Sequence, residues 1–272
     1  MKYQAILFDM DGTLLDTLTD MQAAVNHILE KYGCPTRTLE EVRRFVGNGA
    51  GPLIHRALPQ GVDPDREAEI LADYRAYYQA HNCVETRPYD GIGPLLKRLR
   101  QEGVRTAVVS NKPDQTTRTL AARFFPELDG AMGQREGIAP KPAPDMVRAA
   151  LARLHAAPEE TLYVGDSEVD VDTARNAGLD MIGVAWGFRA GRLWRPQAPP
   201  WWRTPRNSSW TCCWHNKRIR TAGPPGPAEK LPISADLQLF VGGTPQFCAV
   251  YFENVLHFPL GNGIVSPGVK RL

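Results

Sequence analysis

Tyr3-Gln4-Ala5-Ile6-Leu7-Phe8 runs directly into Asp9-Met10-Asp11-Gly12-Thr13. A short apolar run that stops at a polar, glycine-containing turn reads as a buried strand. The two carboxylates then sit at the strand's C-terminal end. Outward from this stretch the pattern first turns helical, from Leu18 to about Asn82. Met21, Val25, Ile28 and Leu29 form one stripe there, Ile70, Leu71 and Tyr74 form another, and the glycine-rich break Val46-Gly47-Asn48-Gly49-Ala50-Gly51 lies between them. After Pro88-Tyr89-Asp90-Gly91, helices and strands alternate. A helix over Ile92 to Gln101 precedes a strand over Arg105 to Val109 that ends at Ser110-Asn111. A helix over Gln115 to Phe124 precedes a weak strand near Ala131-Met132. Asp145 to Leu154 precedes Leu162-Tyr163-Val164, and Val171 to Ala177 precedes Met181 to Val184. Strands alternating with helices of this length imply parallel βαβ units and a doubly wound α/β sheet, with the ligand site at the C-terminal strand ends.

Composition bounds what such a protein can be. With 272 residues and 43% hydrophobic content, the chain can bury one good core and a smaller second unit. The net charge of +2 hides two opposite segments: residues 1–188 carry 21 Lys and Arg against 27 Asp and Glu, whereas residues 189–272 carry 11 against 3. The basic balance therefore gives no reason to expect a nucleic-acid partner. Five cysteines without regular spacing form neither a disulfide framework nor a pair of metal knuckles, which fits a reducing, cytoplasmic setting. No stretch approaches the roughly 20 apolar residues of a membrane span, so no membrane partner is expected. The run Ala5 to Phe8 is cut by Asp9 before it could serve as the core of a signal peptide.

Reactive groups gather at the strand ends or in the loops after them: Asp9 and Asp11, Ser110, Lys141, and Asp166 with Asp170. Each alone reads as turn, cap or loop chemistry. Together, and in this order, they describe one phosphate-sized volume. Two carboxylates one residue apart push their pKa values apart and so take different roles, one as nucleophile and one as acid. A carboxylate attacking phosphorus gives an acyl phosphate, and the charge spread over the phosphoryl oxygens needs cations and donors around it. Lys141 supplies a fixed charge, the Ser110 hydroxyl a donor, and Asp166 with Asp170 further carboxylate for Mg²⁺, which prefers oxygen ligands.

These stretches resemble the haloacid dehalogenase superfamily, in its phosphoglycolate-phosphatase-like branch, over about residues 3–188. Phe8-Asp9-Met10-Asp11-Gly12-Thr13-Leu14 is similar to that family's first motif, Val109-Ser110-Asn111-Lys112 to its second, Pro140-Lys141-Pro142 with Pro144-Asp145 to its third, and Val164-Gly165-Asp166-Ser167 through Asp170 to its fourth. The resemblance implies a nucleophilic Asp9, an Asp11 that acts as acid and then base, and Mg²⁺ held by Asp9, the Asp11 backbone carbonyl and Asp166, with Asp170 in support. It implies an α/β core over residues 1–16 and 84–188 and a small all-helical C1-type cap over 17–83, inserted after the first strand. Arg44-Phe45-Val46-Gly47-Asn48-Gly49 is similar to the cap loop of phosphoglycolate phosphatases. On that basis Thr13, Asn111, Arg44, Gly47 and Asn48 are the expected substrate contacts. The implied partner is a small phosphorylated metabolite, 2-phosphoglycolate first, with sugar phosphates and pyrophosphate behind it. A mutase of the β-phosphoglucomutase type shares the core and stays open, and a non-catalytic binding module is disfavoured by the complete residue set. A response-regulator receiver would lack the helical insert, and dehalogenation needs no carboxylate at position 11.

The segment 189–272 reads differently. It holds five of the six Trp and 11 of the 23 Pro, with neither helical nor strand periodicity. Read one nucleotide earlier, Trp201-Trp202 becomes Val, Trp210-Thr211 becomes Asp, and Cys212-Cys213-Trp214-His215 becomes Leu-Leu-Ala. From about Ala190 onward the chain is therefore expected to be an out-of-frame, poorly ordered tail.

Overall fold

Residues 3–184 and 186–189 are described by the structure, a computed structural model of the chain. The expected irregular tail, apart from Arg189, lies outside the described residues, as does its out-of-frame reading. In chain order the elements are β1 (Ala5–Phe8), β2 (Leu15–Asp16), α1 (Leu18–Lys31), α2 (Leu39–Phe45), α3 (Ala50–Ala57) and α4 (Pro64–His81). They continue with β3 (Arg87–Pro88), α5 (Ile92–Gln101), β4 (Arg105–Pro113), α6 (Asp114–Phe124) and β5 (Gly130–Gln134). The last are α7 (Asp145–Leu154), β6 (Thr161–Gly165), α8 (Glu168–Ala177) and β7 (Asp180–Gly183).

Five strands form a parallel sheet in the order β5-β4-β1-β6-β7. Because successive side chains of a strand point to opposite faces, β1 serves two cores at once. Ile6 and Phe8 pack with Leu95, Leu96 and Leu99 of α5 and Leu120 of α6. Ala5 and Leu7 pack on the other side with Val147, Ala150 and Leu151 of α7. Helices on both faces explain why β1 is an unbroken apolar run. The central position of β1, flanked by strands reached later in the chain on both sides, makes its C-terminal end the switch point where an open α/β sheet leaves a crevice.

Between β2 and β3 the chain is helical, and α1 to α4 bury a core of their own in which Met21, Val25 and Ile28 meet Leu53, Ile54, Ile70 and Tyr74. Local signals set the helix starts. Thr38 and Glu41 form a capping box on α2, and Asp63 caps α4 with Pro64 at its first position. The two connections to the sheet are tied together. Leu15 and Asp16 pair antiparallel with Pro88 and Arg87, and the buried Asp20 carboxylate accepts N–H groups from Val84, Glu85 and Thr86 at 2.9–3.0 Å. Among the described residues no helix is long and apolar enough to cross a membrane.

Two boundaries differ from the sequence expectation by three residues or more. β4 runs through Ser110 and Asn111 to Pro113 rather than ending before them, with a shift in its pairing to β5 after Val109. Its polar end stays extended and buried because its side chains find partners, described below. α8 begins at Glu168, ahead of Val171, because Ser167 and Asp170 form a capping box at its N-terminus.

Candidate active site

Asp9 leaves β1 at the crevice, its N–H held by the Val164 carbonyl of β6 at 2.8 Å. Lys141, in the loop after β5, reaches back so that its ammonium lies 2.8 Å from Asp9 Oδ1 and 2.8 Å from Asp170 Oδ1, and donates to the Tyr163 hydroxyl at 3.2 Å. The contact of Lys141 with Asp9 Oδ1 is an ion pair. Lys141 is 3% exposed. Burial by itself would lower its pKa, but Asp170 and Asp9 outweigh it and hold the ammonium well above its ordinary value.

Asp9, Asp166 and Asp170 offer oxygens that all lie within 4.8 Å of one another, and all three residues are buried. Burial, then Asp170, pushes Asp9 up to about 7 against the pull of Lys141. Burial, Asp170 and Asp9 likewise raise Asp166 well above the carboxylate range. Three buried carboxylates with one ammonium between them form an oxygen-rich, cation-seeking cage, which fits a hard divalent ion. The three are not equivalent. Asp170 is fully used: Oδ2 accepts from the backbone N–H and hydroxyl of Ser167, and Oδ1 from Lys141 and Tyr163. It therefore supports the cluster from behind. Among the described residues, Asp166 Oδ2 accepts the Phe188 N–H alone, at 2.7 Å.

Glycines let backbone close on this cluster. At Gly12, with φ +82°, a Cβ would lie 2.4 Å from Asp166 Oδ2, and at Gly187 one would lie 2.3 Å from the same oxygen. No local pattern in the sequence marks Gly187; the return of residues 186–189 to the crevice shows its place. That return also lets Trp186 Nε1 donate to the Thr13 carbonyl, while the Arg189 guanidinium donates to the carbonyls of Arg43, Arg44 and Val46 at the end of α2.

Asp11, two residues beyond Asp9, accepts from the Thr17 hydroxyl at 2.8 Å and pairs with the Lys112 ammonium at 3.1 Å through Oδ1. A cleft of about 200 Å³ opens over Asp9, Asp11, Lys141 and Asp166, with Ser110 and Gly47 in its walls. Of the other expected substrate contacts, Asn111 alone borders the cleft. Asn111 lines the cleft, but its amide is spent on structure: Oδ1 accepts the Lys141 N–H, and Nδ2 donates to the carbonyls of Lys141 and Gly47. Thr13 is buried outside the cleft, and its hydroxyl has no hydrogen-bond partner among the described residues. The Arg44 side chain is 52% exposed and pairs with Glu40 on the outer face of α2. Asn48 accepts from Arg56. Neither Arg44 nor Asn48 lines the cleft. That wall is built instead by α4, with Tyr74, Arg75, Tyr78 and Gln79. Sequence reasoning placed Tyr74 in a core stripe, which is correct, and an apolar stripe carries no mark that its edge borders a cavity.

The model of the haloacid dehalogenase-like hydrolase family matches residues 6–184. The chain belongs to this family. Among curated members, a phosphoglycolate phosphatase of Pseudomonas putida is 34% identical over 207 residues, covering 71% of this chain and 74% of that protein. A phosphoglycolate phosphatase of Cereibacter sphaeroides is 38% identical over 189 residues, covering 68% and 86%. Among solved structures, a provisionally assigned phosphoglycolate phosphatase from Lactobacillus delbrueckii superposes with a TM-score of 0.66 at 37% identity, covering 70% of this chain and 89% of that one. CbbY from Rhodobacter sphaeroides, solved with phosphate, superposes at 0.57 and 26% identity, covering 66% and 85%.

Proposed function

We propose that this haloacid dehalogenase-like hydrolase is a Mg²⁺-dependent phosphatase that acts on a small phosphomonoester, 2-phosphoglycolate first, through an aspartyl-phosphate on Asp9. The observation that carries this reading is the Asp9 carboxylate at the switch point of the sheet, 2.8 Å from a buried ammonium and clustered with Asp166 and Asp170. The relatives named phosphoglycolate phosphatase support the choice of substrate.

Asp9 Oδ attacks phosphorus and the bond to the ester oxygen breaks, while Asp11 gives that oxygen its proton, releasing glycolate. Asp11, now a carboxylate, takes a proton from water. The resulting oxygen attacks the acyl phosphate, the bond from phosphorus to Asp9 breaks, and phosphate leaves. Lys141 and the Ser110 hydroxyl face the charge that grows on the phosphoryl oxygens. Asp9, Asp166 and the Asp11 backbone carbonyl would hold Mg²⁺, with Asp170 behind them. The ion supplies charge neutralisation for the phosphoryl group. Residues 17–83 serve as a cap that keeps bulk water from the acyl phosphate. The half-buried free cysteines Cys34 and Cys83 suit a reducing, cytoplasmic setting.

Phosphate release from a panel of phosphomonoesters, measured with Mg²⁺ and with chelator, tests the proposal. The expected result is chelator-sensitive hydrolysis with the highest kcat/KM on 2-phosphoglycolate. Hydrolysis that ignores chelator, or a sugar phosphate turned over faster, would overturn the metal or the substrate respectively.

A further inference from the structure

Lys112 is a buried cation in the cleft wall that the reaction above leaves unused. Its side chain is only 2% exposed. It lies at the extended, polar end of β4, where its ammonium is 3.1 Å from Asp11 Oδ1, donates to the Tyr78 hydroxyl at 2.8 Å and stands 4.5 Å from the centre of the Tyr78 ring. We propose that Lys112 is the specificity-determining residue, selecting a leaving group that bears a carboxylate on the carbon attached to the phosphorylated oxygen.

The inference rests on the proposed roles of Asp9 and Asp11 and goes on from them. An ammonium has three donors. Asp11 and Tyr78 take two, and the third has no partner among the described residues on a side chain that borders the cleft. Asp9 and Lys141 mark where the phosphoryl group sits. Asp11 marks where the leaving oxygen sits. A cation touching Asp11 therefore stands beside the leaving group. In a phosphorylated 2-hydroxy acid the carboxylate is joined to the carbon that carries the leaving oxygen, so it arrives next to the group that protonates that oxygen. Charge in the walls agrees. Of the three carboxylates among the described residues that line the cleft, Asp9 and Asp166 belong to the phosphoryl end and Asp11 is the acid at the leaving oxygen, whereas the helical wall contributes Arg75, Tyr78 and Gln79 and no carboxylate. Met21, Leu53 and Tyr74 add apolar wall to the cleft. An alcohol without a carboxylate would leave the buried N–H without an acceptor, a penalty paid only by the wrong substrate.

The competing role is a purely structural one, in which Lys112 only neutralises Asp11 and braces α4. The two roles separate by substrate. Wild type and Lys112→Met are compared for kcat/KM on 2-phosphoglycolate and on 2-hydroxyethyl phosphate, which is of similar size but lacks the carboxylate. Wild type should prefer 2-phosphoglycolate by about 100-fold, the range expected for a buried hydrogen bond between charged groups. Lys112→Met should lose about 100-fold on 2-phosphoglycolate and about tenfold or less on the neutral ester, and Lys112→Arg should regain part of the difference. Equal losses on the two esters overturn the inference while leaving the phosphatase reading intact. Should Lys112→Met fail to fold, wild type alone decides: no preference for the carboxylate ester refutes the role. A wild type that hydrolyses neither ester, nor p-nitrophenyl phosphate, with Mg²⁺ present refutes the phosphatase reading and this inference with it.

Discussion

The α/β core and the helical unit between β2 and β3 both line the cleft, but they bring different chemistry to it. From the core come Asp9, Asp11, Asp166, Lys141 and Lys112, all ionisable and most of them buried; from the helical unit come Met21, Leu53, Tyr74 and Tyr78, with Gly47 and Gly49 at its loop. Strand ends of a parallel sheet are rigid and converge, so they suit groups that must meet phosphorus within tenths of an ångström. A helical unit tied on by two short connections can change its wall without disturbing those groups. The division predicts that substitutions of Asp9 and Asp11 in the core lower turnover on every substrate, whereas substitutions of Lys112, at the core's edge with the helical unit, and of the helical wall redistribute preference among substrates.

The largest effect should come from Asp9→Asn, which keeps shape and removes the nucleophile. Turnover is expected to fall by about 10⁴-fold or more on all esters, with the far-ultraviolet circular dichroism unchanged. A wild-type rate, or phosphoenzyme still trapped at position 9, would falsify the assignment. Asp11→Asn is expected to cost about 10²–10⁴-fold on an alkyl phosphate and less on p-nitrophenyl phosphate, whose leaving group needs little protonation. An equal cost on both would place the acid elsewhere. In the helical wall, Arg75→Ala or Tyr78→Phe should change kcat/KM ratios across a substrate panel by about two- to tenfold, whereas Arg44→Ala should leave the ratios as they are, since its side chain points away with Glu40. If Arg44→Ala changes the ratios and the α4 variants do not, the comparison between the two regions is drawn along the wrong surface.

The smallest effect is on stability. Without metal, Asp9 is pushed up to about 7 from an ordinary 3.8, first by burial and then by Asp170, with Asp11 adding and Lys141 opposing. A group whose folded pKa is raised contributes stability that is complete below its unfolded pKa and is lost as pH rises through the folded value. Metal-free protein should therefore melt a few degrees lower at pH 8 than at pH 5, and Mg²⁺ should reduce that difference. Differential scanning fluorimetry at both pH values, with and without Mg²⁺, measures it, and a metal-free melting point that rises with pH would contradict the crowding of carboxylates around Asp9.

Which parts of this were legible in the sequence follows from how far each signal reaches. Asp9, Asp11, Lys141 and Asp166 could be read because a strand end is a local event and a parallel sheet brings strand ends together. By sequence β4 ends early because Ser110-Asn111 after an apolar run looks like a cap; in the fold Ser110, Asn111 and Lys112 are an extended, buried edge of the site whose partners come from the turn after β1, α4 and the Lys141 loop. Asp170 was read with the metal ligands, and only the structure shows both its oxygens committed to Ser167, Lys141 and Tyr163. Arg44 and Asn48 enter as expected contacts through the resemblance of residues 44–49 to a cap loop, yet which side chains at the end of α2 and in the loop after it meet the cleft depends on how α2 packs against α1 and α3.

By itself the sequence determined the α/β order, the helical unit after the first strand and the placing of Asp9, Asp11 and Asp166 at strand ends, because apolar periodicity and turn residues act over a few positions along the chain. Tertiary structure decided which polar groups remain free to meet a substrate. Asn111 is consumed by Lys141 and Gly47, while Lys112, among the described residues, keeps one donor beside Asp11. That choice depends on partners from distant elements, such as Tyr78 on α4, 34 positions before Lys112, and no periodicity along the chain encodes their meeting.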